Sequence, residues 1–236
     1  MTLRAHRRRG NTPLSRRLTL LLALTALALG SLFAAPAAAA AHRNPVVFVH
    51  GWSSSSSVWN EMVADFKAAG YADSELYAWD YDSYQSNKTT AQELAAYVDQ
   101  VRAATGAAQV DIVTHSMGGL NSRWYVKFLG GTNHVDDWVS LAGPNHGTSS
   151  ANWCYSTSCY EMRAGSNFLN DLNAGDETPG GVDYGTWWSY CDGVIYPAES
   201  TVLSGANNTY AGCLGHSEFT TNDTVSQQVR DFVAAT

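Results

Sequence analysis

The chain has 236 residues, of which 45% are hydrophobic and 15% charged. Six of its fourteen basic residues lie within the first 17 positions, and all twenty-one acidic residues follow position 42. Beyond this leader, eight basic and twenty-one acidic residues give a net charge of −13. A charge of this sign argues against nucleic acid or an anionic lipid surface as a partner.

The first 41 residues have the layout of a secretory leader. An arginine-rich start is followed by the apolar run Leu18–Phe33 and then by the small residues Ala34–Ala41. The apolar run is short for a membrane anchor, which is the alternative interpretation. We therefore predict that residues 1–41 are a cleaved signal peptide, exported by either the general or the twin-arginine route. Residues 42–236 are predicted to be the mature, extracellular domain.

After the leader, short β-branched runs alternate with amphipathic segments. This alternation is typical of an α/β fold, and we expect one compact domain with a mostly parallel sheet of about six strands and helices on both faces. The predicted strands, in chain order, are Val46–His50, Leu76–Trp79, Val110–Thr114, Trp138–Ala142, Thr186–Tyr190 and Thr209–Cys213. The predicted helices are Trp59–Ala69, a helix opened by a capping box at Thr90–Glu93 and stopped by Gly106, Met117–Leu129, and Asp223–Ala234.

Two stretches lack periodicity. The run Ser53–Ser57 is predicted to be a flexible loop after the first strand. The segment Ser149–Tyr184 is long, with a short helical piece expected around Asn167–Asn173. Because it follows the carboxyl end of a strand, we expect it to border the ligand crevice.

All four cysteines lie after the leader, where an oxidising compartment favours disulfides. Three pairings are possible, and we favour Cys154–Cys159 with Cys191–Cys213. A metal site is the rival interpretation, but it lacks a C-x-x-C pair or suitably spaced histidines.

The segment Val110–Gly119 (VDIVTHSMGG) predicts a nucleophile elbow. A strand leads directly into Ser116, and two glycines then open a helix. This layout exposes a serine hydroxyl beside free helix N–H groups that favour developing negative charge. Thr114 stands where the usual G-x-S-x-G pattern has its first glycine, so the motif alone also fits an ordinary strand-to-helix turn. The presence of a suitable acid and base elsewhere in the sequence decides between a nucleophile elbow and an ordinary turn.

A serine nucleophile needs a base and an acid, and enzymes with such an elbow present them in the order serine, acid, histidine. Of the three histidines after Ser116, only His216 follows every predicted strand that could supply the acid. Asp192 directly follows the strand Thr186–Tyr190 and is the favoured acid. Asp176 and Asp183 are the alternatives, but both precede that strand. A Cys191–Cys213 disulfide would clamp the acid and base loops together.

Two backbone N–H groups are predicted to form an oxyanion hole. Met117 follows the nucleophile directly, and Trp52 stands in the H-G-x arrangement after the first strand. His50 and His115 are expected to hold loop geometry through hydrogen bonds rather than to act as bases. Six aromatic residues are candidates for lining an apolar acyl site or for the core: Trp52, Trp59, Trp153, Tyr155, Tyr160 and Phe168.

Taken together, these motifs resemble the small secreted bacterial lipases of the class 2 type, which are minimal α/β-hydrolases. The resemblance lies in Val46–Gly51 (VVFVHG), Val110–Gly119, Val139–Gly143 (VSLAG) and the pair Asp192 and His216. It implies an α/β-hydrolase fold and a lipase acting on fatty-acyl esters through Ser116, Asp192 and His216.

We expect a monomeric enzyme that needs no metal or organic cofactor. Short soluble esters, polyesters and phospholipids are alternative substrates for the same triad. Peptidase, thioesterase and acyltransferase reactions are further alternatives, because they use the same triad. A non-catalytic module that binds a lipid or a wall polymer is the alternative from a different class.

Overall fold

The computed structural model describes residues 43–235, so the predicted signal peptide lies outside the described residues. The six strands are β1 (Val46–Val49), β2 (Leu76–Trp79), β3 (Val110–His115), β4 (Val135–Leu141), β5 (Asp183–Trp188) and β6 (Asn207–Tyr210). The helices are α1 (Asn60–Ala68), α2 (Asn87–Thr105), α3 (Gly118–Phe128), α4 (Thr157–Met162), α5 (Asn167–Asn173) and α6 (Asp223–Val233).

The strands form one fully parallel sheet in the order β2-β1-β3-β4-β5-β6. The predicted fold class, with about six mostly parallel strands, is confirmed. The chain moves outward from β1 to β2 and then returns to place β3 on the other side of β1. Such a reversal opens a crevice at the carboxyl ends of the two central strands. Those ends lead into Gly51 and Ser116 respectively.

Alternation along the strands divides the core between the two faces of the sheet. Val47 and Val49 pack with Leu94 of α2 on one face. Val46 and Phe48 pack with Phe66 of α1 on the other, where α6 also lies. All six side chains are fully buried, and burying an aliphatic or aromatic side chain of this size contributes about 1.5–3 kcal/mol. Helices therefore cover both faces, as predicted.

Several boundaries differ from the sequence prediction. β4 begins at Val135 rather than Trp138 because the chain continues the strand through Asp136 and Asp137, two acids that strand patterns disfavour. β5 begins at Asp183 and ends at Trp188, and β6 ends at Tyr210. The loops carrying the predicted acid and base are therefore longer than expected.

The predicted capping box at Thr90–Glu93 is wrong. Helix α2 begins at Asn87, and the hydroxyl of Ser86 accepts from the backbone N–H of Lys88 at 3.2 Å. The carboxylate of Glu161 accepts from the backbone N–H of Asn87 at 2.6 Å. This long-range contact satisfies a helix end that local sequence cannot reveal. The predicted stop at Gly106 is confirmed.

The two aperiodic segments are more ordered than expected. In the serine run, Ser56 is bound to the carboxylate of Asp80 through its backbone N–H at 2.6 Å and its hydroxyl at 2.7 Å, and a 3-10 turn begins there. The segment 149–184 contains a 3-10 turn, α4 and α5, with α5 at the predicted position. It packs over the start of α3 through Met117 and Leu120. Within residues 43–235, the helices are too short or too polar to cross a membrane.

Candidate active site

Ser116 occupies a sharp turn between β3 and α3. Its φ of +55° lies in the left-handed region, which non-glycine residues rarely adopt. The backbone N–H of Ser116 donates to the carbonyl of Leu141 at 2.9 Å, and its carbonyl accepts from Gly119 at 3.0 Å. Backbone strain of this kind persists only where neighbouring structure enforces it, and it clusters at functional sites. The geometry is that of the predicted nucleophile elbow.

Two glycines allow the elbow to lie against the loop that follows β1. A Cβ on Gly118 would lie 2.4 Å from the carbonyl oxygen of Val49. A Cβ on Gly51 would lie 2.8 Å from the Cβ of Ser116. Only glycine fits at such approaches, so the start of α3 and the nucleophile are brought against the end of β1.

Thr114 fills the position of the first glycine in the usual motif without disturbing the turn. Its side chain is fully buried, and its hydroxyl donates to the carbonyl of Val139 on β4 at 2.8 Å. The extra side chain is thus accommodated between β3 and β4, and its polar atom is satisfied.

Asp192 and His216 are directly joined. The Nδ1–H of His216 donates to Oδ2 of Asp192 at 2.8 Å. The other carboxylate oxygen of Asp192 accepts from the backbone N–H groups of Val194 and Ile195 at 2.8 and 2.7 Å. The side chain of Asp192 is 3% exposed, whereas that of His216 is 14% exposed. The acid is therefore buried and oriented, and the imidazole reaches solvent.

The loops that carry these two residues are held together at their bases. The disulfide Cys191–Cys213 joins the residue before Asp192 to the residue three before His216. The buried hydroxyl of Ser189 accepts from the backbone N–H groups of Cys191 at 3.0 Å and Leu214 at 2.9 Å. Sequence analysis missed Ser189, because a lone serine after a strand carries no motif. The second disulfide is Cys154–Cys159.

His115 brings the elbow and the base loop together. Its ring centroid lies 4.6 Å from that of His216, and its Nε2 lies 2.8 Å from the carbonyl oxygen of His216. The hydroxyl of Ser116 itself makes no hydrogen bond to any residue from 43 to 235. Such contacts are often long in an empty site and tighten when substrate is bound.

The alternative acids and bases lie elsewhere. The carboxylate of Asp176 accepts from the backbone N–H of Thr178 in its own turn at 2.9 Å. Asp183 begins β5, whereas Asp192 follows the carboxyl end of this strand, so the two acids lie at opposite ends of the strand. His146 is paired with Glu177 at 2.7 Å, and His134 precedes β4.

Both predicted oxyanion donors have free backbone N–H groups. Met117 directly precedes α3, and Trp52 follows Gly51. Neither backbone N–H donates to another residue in the described part of the chain. Unpaired N–H groups beside a nucleophile are what an oxyanion hole requires.

With the site assembled, similarity to known proteins assigns the family. The family model for lipase (class 2) matches residues 43–234, which is most of the chain. The chain belongs to the class 2 lipase family.

Two curated relatives of this class 2 lipase are triacylglycerol lipases. The protein from Pseudarthrobacter phenanthrenivorans is 35% identical over 94 residues, which are 36% of this chain and 28% of the relative. The protein from Burkholderia plantarii is 35% identical over 105 residues, which are 39% of this chain and 28% of the relative. The chain thus spans only about a quarter of the length of either relative.

Among solved structures, the mature form of the Bacillus licheniformis lipase BlEst2 superposes with a TM-score of 0.71. Sequence identity is 19%, and the superposition covers 81% of this chain and 92% of BlEst2. At this identity the likeness concerns the fold, and it supports the α/β-hydrolase architecture.

The loop after β1 in this class 2 lipase is held by residues that sequence analysis did not identify. The hydroxyl of Tyr81 donates to the carbonyl of His50 at 2.6 Å, and the two rings stack at 4.2 Å. Burial lowers the pKa of His50, which keeps its imidazole neutral and unsuited to act as a charged acid. Tyr81 could have been suspected only from its position just after β2.

An apolar cavity of about 240 Å³ lies beside the acid loop. Its lining includes Trp52, Trp153, Met162, Val194 and Ile195. Of the six aromatic candidates, only Trp52 and Trp153 line it. Trp59 and Phe168 are buried in the core, and Tyr155 and Tyr160 are exposed. Two of the six candidates therefore line a cavity, two lie in the core as the alternative had it, and two are exposed.

A cluster of three carboxylates lies at the amino-terminal ends of the strands, whereas Ser116 lies at their carboxyl ends. Ligand atoms of Asp111, Asp136 and Asp137 lie within 4.8 Å of one another, and Asn44 donates to Asp111 and Asp136. Burial, followed by the nearby charge of Asp137, raises the pKa of Asp111 well above its usual value. These acids lie near the starts of β3 and β4, whereas Ser116 follows the end of β3.

Proposed function

We propose that the protein is a secreted serine carboxylic-ester hydrolase, a lipase that cleaves acylglycerols or other fatty-acyl esters through an acyl-enzyme on Ser116. The observation that carries the proposal is the 2.8 Å hydrogen bond from His216 to the buried Asp192, at the sheet edge that presents Ser116 on a strained turn. Membership of the class 2 lipase family supports the same chemistry.

In the first half of the proposed reaction, the hydroxyl oxygen of Ser116 attacks the ester carbonyl while Nε2 of His216 takes the hydroxyl proton. Asp192 keeps the other imidazole proton on Nδ1, so that Nε2 is free to accept, and it stabilises the imidazolium that forms. His216 then passes the proton to the leaving alcohol, and the acyl group remains on Ser116.

The tetrahedral intermediate carries a negative oxygen that the backbone N–H groups of Trp52 and Met117 stabilise. Loss of one such donor typically costs roughly 10²–10³ in rate. In the second half, His216 takes a proton from water, which attacks the acyl carbon. Ser116 then recovers its proton as the carboxylic acid leaves.

The cavity beside Asp192 is the proposed site for the acyl chain. Its lining is mostly apolar and includes Trp52, whose backbone N–H is a proposed oxyanion donor. An apolar chain bound in this cavity would therefore start next to the carbonyl that it carries. The small volume of about 240 Å³ is the specific observation that favours the second candidate, an esterase for short soluble esters.

Location and assembly are further parts of the proposal. Two disulfides and no free cysteine within residues 43–235 suit an oxidising, extracellular compartment. The proposed enzyme acts as a monomer on an ester or lipid substrate, and the proposed reaction uses neither a metal nor an organic cofactor.

Hydrolysis of p-nitrophenyl esters from acetate to palmitate, below and above substrate aggregation, tests the proposal. We expect S116A to lose hydrolysis of every ester, whereas S74A, at an exposed serine before β2, retains it. Highest rates on long chains support the lipase. Highest rates on acetate with no gain upon aggregation would replace lipase with esterase, and equal activity of S116A and wild type would refute the serine mechanism.

A further inference from the structure

We propose that His115 is a positioning residue for the catalytic base, which sets the distance between the nucleophile elbow and the backbone of His216. This inference rests on the function proposed above, and it assigns His115 a task beyond packing at the end of β3.

The contact joins two distant parts of the chain. His115 directly precedes Ser116, and its Nε2 lies 2.8 Å from the carbonyl oxygen of His216, 101 residues later. A carbonyl can only accept, so Nε2 of His115 carries the proton and donates it. The bond therefore links the residue beside the nucleophile to the backbone of the base itself.

No other contact of His216 performs the same task. Its backbone N–H donates to the carbonyl of Asp192 at 2.9 Å, and its Nδ1–H donates to the carboxylate of Asp192 at 2.8 Å. Both contacts tie the base to the acid loop. Among the hydrogen bonds and ring contacts of His216 within residues 43–235, those with His115 tie it to the elbow, and the tilted rings pack at 4.6 Å.

The chemistry of His115 suits a donor beside a base that becomes charged. His115 is only 6% exposed. Its ring centroid lies 6.5 Å from that of Trp59, and the two rings are nearly perpendicular. Burial, followed by the charge of His216, lowers the pKa of His115 to about 3, although the hydrogen bond to the carbonyl of His216 and the charge of Asp192 raise it. A neutral donor holds the carbonyl without repelling the imidazolium of His216.

Three substitutions distinguish the contribution of the Nε2–H donor of His115 from that of its packed ring. H115F keeps a buried planar ring but removes the donor. H115Q places an amide N–H near the position of Nε2, and H115N, one methylene shorter, does not reach the carbonyl. We expect H115F and H115N to lower kcat by roughly 10- to 100-fold with KM nearly unchanged, since a base misplaced by about 1 Å costs up to about that much. H115Q should recover most of the wild-type kcat.

Kinetics of ester hydrolysis and of covalent labelling of Ser116 by a fluorophosphonate probe give the readout, with the melting temperature of each variant measured in parallel. The Gln and Asn variants differ by one methylene, so they decide the question even if H115F fails to fold. Folded H115N with wild-type kcat, or equal losses in H115N and H115Q, overturns the positioning role alone. A wild-type enzyme that is neither labelled nor active overturns the proposed function as well.

Discussion

Asp192 holds His216 at two points, through its carboxylate at Nδ1 and through its carbonyl at the backbone N–H. The first contact selects the imidazole tautomer, and the second places the residue that bears the ring. In the proposed mechanism, Asp192 thus acts on both the chemistry and the position of His216. A substitution that changes only the carboxylate separates these two effects.

D192N should leave the backbone contact and the fold intact but reverse the side-chain hydrogen bond. The amide N–H would face Nδ1 of His216, moving the imidazole proton to Nε2, where it blocks acceptance from Ser116. We expect kcat for ester hydrolysis to fall by roughly 10⁴-fold. D176N and D183N are the matched controls and should retain activity, since neither carboxylate contacts His216. Loss of activity in either control with retention in D192N would reassign the acid.

Removal of the disulfide between the acid and base loops should be more damaging than removal of the other. Cys191–Cys213 closes a loop of 22 residues and Cys154–Cys159 one of 5, so the chain-entropy contributions are about 3 and about 2 kcal/mol. We expect the serine double variant at 191 and 213 to unfold at lower urea concentration than that at 154 and 159. It should also lose more kcat. Equal kcat losses would show that the disulfide does not help to align acid and base.

S189A tests the buried hydroxyl that joins the same loops. The substitution removes the acceptor of the N–H groups of Cys191 and Leu214, whose hydrogen bonds are partly buried, and each such bond contributes about 0.5–1.5 kcal/mol. Urea denaturation should show a free energy of unfolding lower by at least about 1 kcal/mol, with S74A unchanged. A wild-type unfolding curve for S189A would mean that the loops are held by the disulfide alone.

Asp111 makes the stability of the fold depend on pH. Its folded pKa is raised above the unfolded value of about 3.9, so its neutral form stabilises the fold at low pH. That stability is lost as pH rises from about 4 through the folded pKa. D111N stays neutral and keeps an oxygen for Asn44, so it should be more stable than wild type at pH 8 and gain little at pH 4. Thermal denaturation across this range, with the exposed D231N as control, checks the sign. A larger gain at pH 4 would contradict it.

Most of the fold could be predicted because the strands follow simple patterns. The β-branched runs at β1 and β3 alternate between two buried faces. The two glycines near Ser116, Gly51 and Gly118, allow a close approach of the backbone. The order serine, aspartate, histidine then indicated three residues. The structure joins Asp192 and His216 directly, and Ser116 follows His115, whose ring packs against that of His216. Ser189, Tyr81 and Glu161 were missed because each forms a hydrogen bond with a residue more than 20 positions away. These partners are Leu214, His50 and Asn87 respectively.

Boundaries and side-chain directions were the less predictable parts. Asp136 and Asp137 continue β4 although isolated acids disfavour strands, because neighbouring strands and Asn44 accommodate them. Trp153 lines a cavity and Trp59 fills the core, yet both are tryptophans near loops in the sequence. Tertiary packing decides such cases, and local sequence does not contain it.

In the proposed mechanism, the hydroxyl of Ser116 is an activated nucleophile. Incubation of the folded protein with a fluorophosphonate probe, followed by intact-mass and peptide mass spectrometry, tests it most directly. We predict one adduct per chain, located on Ser116, with labelling abolished in S116A and strongly slowed when His216 is replaced by alanine. A folded wild-type protein that forms no adduct at Ser116, or is labelled equally at other serines, would contradict the account.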